Sequence, residues 1–78
     1  MQTASIPAMP LSMVRAGSDA TVCKVRGDES MRRHLQEIGF VDGATVHVVS
    51  ATGANLIVMV KGARFGVDAK VARNVMTV

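Results

Sequence analysis

The stretch DESMRRHLQEIGFVDGATVHVV, residues 28–49, constrains the fold of this chain more than any other part of it. Its apolar residues Met31, Leu35 and Ile38 recur at i, i+4 and i+7, which places them on one face of a helix. This spacing predicts a short amphipathic helix. The apolar face packs against the rest of the protein, and the charged residues between those positions are directed to solvent.

Both ends of this helix carry residues with specific backbone roles. Asp28 can accept backbone N–H bonds at the helix start. Gly39 stands just past the last turn, where a left-handed conformation is needed, and Phe40 follows at the position that commonly packs back onto Leu35. Gly43 then supplies a second turn before a strand-like segment. Because the chain ends its helix and turns twice within five residues, the path of the backbone through this segment is tightly constrained.

The rest of the chain predicts short strands joined by tight turns. We expect strands over 19–25, 44–49, 56–60, 64–67 and 75–78, and a helical turn over 69–73 that is capped by Asp68. Residues 1–9 are expected to be a flexible lead-in, and residues 10–78 one domain. Five short strands predict a mainly β fold, a small closed β-barrel with one inserted helix and a short helical turn near the C-terminus, since closure removes exposed sheet edges.

Size and composition limit what the chain can be. Its 78 residues leave room for one hydrophobic core. The longest strong apolar run, residues 56–60, is far shorter than the ~20 residues that cross a bilayer. No Lys or Arg precedes Arg15, unlike a secretory signal, and the single Cys23 can form neither an internal disulfide nor a cysteine-based zinc site. These features predict a cytoplasmic protein without direct membrane insertion.

No recognisable catalytic motif is present. Cys23 lies in an apolar strand pattern, where a buried inert thiol is favoured over a nucleophile. No glycine-rich loop is followed by Lys-Ser or Lys-Thr, so a phosphate cradle is not expected. Core filling and the composition of the N-terminal tail account for the six methionines better than a metal-chaperone role does, because they form no closely spaced run. We therefore expect no catalytic residue, no enzyme activity and no cofactor.

Metal binding has two candidate residues, His34 and Glu37, which are about one helical turn apart. A His–carboxylate pair can hold a divalent ion weakly, but two ligands do not make a specific site. His47 lies on a strand at an unknown distance from them. We favour two solvent-facing polar residues over a metal site.

Two surfaces are candidates for binding a partner. Arg26, Arg32 and Arg33 lie close together in sequence near the helix start. The chain has no Trp or Tyr to stack on bases, which argues against nucleic acid. Two interpretations stay open for these basic residues, a solvated face and a docking face for an acidic protein surface. The loop that follows the helix, Phe40-Val41, is the second candidate surface.

The order "helix, L-x-E-I-G-F, x-x-G, strand" also resembles the signature of the FeoA family. The matching residues are Leu35, Glu37, Ile38, Gly39, Phe40 and Gly43. The resemblance covers roughly residues 9–78. Two departures stand out: no proline occurs near Thr52-Gly53, and Gly66-Val67-Asp68 replaces a leucine-plus-basic run. The same domain resembles the C-terminal SH3-like module of metal-dependent bacterial repressors.

This resemblance implies an SH3-like fold and an accessory role in bacterial ferrous iron transport. The expected partner is the cytosolic, GTP-hydrolysing part of the iron permease. The alternative is a metal-responsive SH3-like regulatory module. For the contact surface we predict Arg32, Arg33, Phe40 and Val41, and for structural roles Leu35, Ile38, Gly39 and Gly43.

Overall fold

The computed structural model describes residues 8–78. The elements in chain order are β1 (Met9–Pro10), a 3₁₀ turn (Leu11–Met13), β2 (Asp19–Val25), α1 (Glu29–Ile38), β3 (Thr45–Thr52), β4 (Asn55–Val60), β5 (Ala63–Asp68), α2 (Ala69–Ala72) and β6 (Val75–Thr77). As predicted, α1 is inserted between β2 and β3. The lead-in expected over residues 1–9 falls mainly on residues 1–7, which lie outside the described residues.

The strands form one antiparallel sheet in the order β1-β6-β2-β3-β4-β5. This sheet is open, so the closed barrel predicted from the sequence is not confirmed. Within residues 8–78, β5 pairs only with β4 and β1 only with β6. β1 is only two residues long, and its Pro10 has no N–H to donate to a further strand.

Buried residues alternate with less buried ones along the strands, and the buried ones form the core. In β4, Leu56, Val58 and Val60 are buried, whereas the residues between them are half-buried. In β3, Val46 and Val48 are buried on the same side of the sheet. The largest fully buried side chains are those of Phe40, Leu11 and Leu35. One hydrophobic cluster therefore joins the sheet to α1 and to the 3₁₀ turn.

The β3–β4 hairpin is longer than the sequence predicted. β3 continues to Thr52, three residues beyond the predicted end, and the loop shortens to Gly53-Ala54. The register shifts between Val48 and Ser50, which marks a β-bulge. A bulge adds a residue without ending the pairing, and simple alternation does not predict it.

Candidate protein-docking surface

α1 begins and ends through local hydrogen bonds. The Asp28 carboxylate accepts a bond from the Met31 N–H at 2.8 Å. At the other end, the Gly39 N–H donates to the Gln36 carbonyl at 3.1 Å, and the Phe40 N–H donates to the Leu35 carbonyl at 3.0 Å. This pair of bonds is a Schellman motif, with Gly39 at φ 124°. The predicted start and stop of the helix are confirmed.

The exposed face of α1 is polar. Glu29, Arg32, Arg33 and Gln36 line one shallow surface depression. Arg33 and Glu29 form an i,i+4 ion pair at 3.4 Å, with both side chains mostly exposed. Arg32 makes no ion pair with any residue in the described part of the chain. Arg32 is thus a cation available to an acidic surface, whereas Glu29 partly neutralises Arg33.

The loop after α1 divides into a buried and an exposed residue. The Phe40 side chain is 0% exposed and is the largest of the fully buried side chains, whereas Val41 is 36% exposed. Phe40 was predicted to contact a partner, and this assignment is wrong because a fully buried ring offers no surface. The Schellman turn directs it inward to pack in the same cluster as Leu35.

The predicted contact residues sit at two ends of one element. Arg32 and Arg33 lie in the first half of α1, and Val41 lies just beyond its last residue. At 1.5 Å of rise per residue, about 9 Å of helix separates Arg32 from Ile38. A partner that contacts both must therefore follow the length of α1.

The other residues predicted for structural roles lie close to the core. Leu35 is 1% exposed and Ile38 is half-buried against the core cluster. Gly43 holds φ 89° in the turn before β3. Its N–H donates to the Val22 carbonyl at 2.7 Å, which ties that turn to β2.

The metal candidates do not converge. His34 and Glu37 are both exposed on α1. His47 instead pairs across β2 and β3 with Asp19, with 2.6 Å between Nδ1 and the carboxylate oxygen. Among residues 8–78, no group of three His, Cys, Asp or Glu side chains could hold a metal ion. Cys23 is half-buried at a bulge where β2 meets β6.

An apolar surface that the sequence did not predict lies near the chain termini. Met9, Met13 and Val78 are 44%, 71% and 50% exposed. All three line an open groove of about 350 Å³, together with Val14 and Ala20. The β1–β6 pairing brings these residues together, and no local pattern predicts that pairing.

None of the helices within residues 8–78 is long and apolar enough to cross a membrane. The fold and surface thus describe a small mainly β domain in which α1 is inserted between β2 and β3, and whose described part holds no group of three side chains that could bind a metal ion.

Comparison with known proteins identifies this type of domain. It is SH3-like, as in the FeoA of Stenotrophomonas maltophilia solved in complex with zinc, an SH3 domain protein. That structure has a TM-score of 0.81 and 31% identity, with 91% of each chain covered. The FeoA domain family matches residues 9–77, so the chain belongs to the FeoA family.

Two further solved structures extend this comparison. An iron uptake regulatory protein, also named FeoA, has a TM-score of 0.85 and 30% identity over 94% of this chain and 97% of its own. A manganese-dependent transcriptional repressor has a TM-score of 0.85 and 22% identity over 99% of this chain and 44% of its own, a likeness of fold alone. No curated protein matches this chain significantly.

Proposed function

We propose that this protein is a cytoplasmic, non-catalytic accessory protein of bacterial ferrous iron transport. It acts by docking on the cytosolic GTPase part of the iron permease. The observation that carries this proposal is the FeoA family match, which spans nearly the whole chain. The similar protein from Stenotrophomonas maltophilia is itself a candidate ferrous iron transport activating factor.

The docking surface in this proposal runs along α1. Arg32 and Arg33 supply positive charge, and Val41 supplies an exposed apolar contact beyond the helix end. Charges of this kind speed association with an acidic surface, whereas apolar contacts govern how long a complex lasts. A rigid helix, held by the Schellman turn at one end and by Asp28 at the other, presents both kinds of contact without folding on binding.

The direct test is binding to the isolated GTPase domain of the permease. Biolayer interferometry with that domain immobilised gives association and dissociation rates, and an unrelated GTPase serves as the control surface. We expect saturable binding to the permease domain only. Absence of binding at concentrations up to about 100 µM, equivalent to a binding free energy of about −5.5 kcal/mol, would overturn the proposal.

A second candidate function is a metal-responsive regulatory module. The repressor likeness favours it, because the whole of this domain superposes on part of a manganese-dependent repressor. In that case manganese or ferrous ion would change the affinity of the domain for its partner. Repeating the binding experiment with and without each ion separates the two functions, since a docking adaptor gives the same affinity in both conditions.

A further inference from the structure

β5 forms one edge of the described sheet, and half of its backbone groups point away from that sheet. Its pairing with β4 begins at Val60 and Ala63, across a two-residue turn. Bonded and non-bonded residue pairs alternate along an antiparallel ladder, so every second residue from Ala63 bonds to β4. The residues between them, Arg64, Gly66 and Asp68, direct their N–H and C=O groups outward.

These outward groups are accessible. Arg64, Gly66 and Asp68 are all exposed, and the exposure of Gly66 is exposure of main chain because glycine has no side chain. None of the three donates or accepts a backbone bond with another strand or loop in the described part of the chain. Asp68 caps α2, so its carbonyl accepts the first bond of that helix. The other outward groups form an open edge that can accept a strand.

We propose that two copies of this chain associate through β5, antiparallel and centred on Gly66. In this register Gly66 faces Gly66 of the partner subunit, and Arg64 faces Asp68 of the partner subunit. Residues with outward groups then face one another, as a bonded ladder requires. The two glycines exchange two hydrogen bonds, and each Asp68 N–H donates to the carbonyl of Arg64 of the partner subunit.

The charges on β5 favour this register. Arg64 and Asp68 lie two residues on either side of Gly66, so a two-fold axis through Gly66 places opposite charges together twice. Neither residue forms an ion pair within residues 8–78, although the Asp68 carboxylate accepts the Lys70 N–H at 2.7 Å. A shift of register by two residues would lose this pairing of opposite charges.

Apolar side chains favour the same register on the other face of β5. Phe65 is half-buried and Val67 is 5% exposed. Pairing about Gly66 places Phe65 of the partner subunit directly opposite Val67, in a non-bonded pair where side chains lie closest. Val67 lines an open groove of about 110 Å³ with Leu35, Ile38 and Val71, and the polar residues His34 and Asp68 lie at the same groove. An aromatic ring entering from the partner copy would cover this groove.

The experiment is a concentration series on the full chain. A single short strand pair buries less than the ~800 Å² per partner of a standard interface, so we expect a weak dimer. Sedimentation velocity from about 1 µM to about 1 mM spans the affinities that such an interface reaches. In NMR spectra over the same range, we expect the amide signals of Arg64, Gly66 and Asp68 to shift most.

Charge reversal tests the register. Arg64→Asp and Asp68→Lys each place like charges opposite one another in a homodimer, so each variant alone should be monomeric. Mixed together, the two variants restore both opposite-charge pairs and should associate as strongly as the wild type. Arg73→Asp, which makes the same change of charge at an exposed position just after α2, should leave association unchanged. Circular dichroism confirms that each variant is folded. If Asp68→Lys unfolds, Asp68→Asn, which can still cap α2, removes the negative charge instead and should weaken the dimer, without the mixing test.

Two results would overturn this inference. One is a wild-type protein that stays monomeric up to about 1 mM. The other is a dimer that Arg64→Asp does not weaken, or whose concentration-dependent shifts map away from β5. Either outcome leaves the iron-transport proposal untouched, because the permease contact is assigned to Arg32, Arg33 and Val41, and none of these lies in β5.

Discussion

A β-carbon placed on Gly39 would lie 2.8 Å from Cγ1 of Val60. This approach is closer than side chains tolerate, and Gly39 also holds φ 124°. The end of α1 is therefore fixed against β4 both by backbone conformation and by contact. The same glycine that stops the helix lets it pack on the sheet.

We expect Gly39→Val to lower the free energy of unfolding by about 2–4 kcal/mol, the sum of left-handed strain and overpacking. Urea denaturation of both proteins measures the difference. Gly43→Val is the matched control, since Gly43 has φ 89° and no neighbour within 4 Å of an added β-carbon. The free energy of unfolding of this control should fall only by the cost of the strain, about 1–2 kcal/mol. Equal losses in the two variants would show that the contact with Val60 contributes nothing.

Leu35→Ala should cost about 2–5 kcal/mol, the range for removing a buried leucine from a packed core. Leu35 is 1% exposed and belongs to the cluster that joins α1 to the sheet. The loss approaches the whole stability of many small domains, so thermal unfolding followed by circular dichroism is the suitable measurement. Gln36→Ala, at the next and exposed position, should change stability by less than about 0.5 kcal/mol. A small effect at Leu35 would mean that α1 contributes little to the core.

Lys61 occupies a left-handed conformation, φ 52°, in the two-residue turn between β4 and β5. Its neighbour Gly62 has φ 79°, as a type I′ turn requires, and such turns favour Asn-Gly. We expect Lys61→Asn to stabilise the protein by about 0.5–1 kcal/mol, because asparagine tolerates this conformation better than lysine. Lys61→Ala removes the same charge but keeps the strain, and should not stabilise. A higher denaturation midpoint for the alanine variant would assign the effect to charge instead.

The parts of the fold that follow from local chemistry were predictable from the sequence. The start and end of α1 depend on Asp28 and Gly39, which act on backbone groups within four residues of themselves. By contrast, β1 exists only because Met9 pairs with Thr77, 68 residues away. The alternation of apolar and polar residues and the positions of turn residues do not predict that pairing. Neither β1 nor the apolar groove beside it was therefore predicted.

Phe40 shows that local sequence patterns are equally limited in predicting the candidate site. Its position after Gly39 predicted both packing onto Leu35 and exposure in a loop, and the pattern alone could not decide between them. The structure places the ring at 0% exposure, so only Val41 of that loop is exposed to a partner. Burial is a property of the assembled core, which a local motif does not specify.

We expect no tight metal site within one molecule. Residues 8–78 contain no group of three suitable ligands, and residues 1–7 contain no His, Cys, Asp or Glu. Calorimetry with zinc and with anaerobic ferrous iron should give dissociation constants weaker than about 1 µM. A stoichiometric site tighter than this, lost in His34→Ala, would contradict the prediction and direct attention to His34 and Glu37.

The last prediction concerns docking on the permease GTPase domain. Arg32→Glu combined with Arg33→Glu should slow association and flatten its dependence on salt, because these exposed charges act mainly on the encounter. Val41→Asp should instead speed dissociation, because it replaces an apolar contact with a charge that must be desolvated. Biolayer interferometry at two salt concentrations separates the two effects.

Lys70→Glu combined with Arg73→Glu reverses two exposed charges on and beside α2 and is the matched control. If folded forms of the α1 and Val41 variants bind as the wild type does, the contact lies elsewhere, and the basic residues Lys61 and Arg64 are the next surface to test.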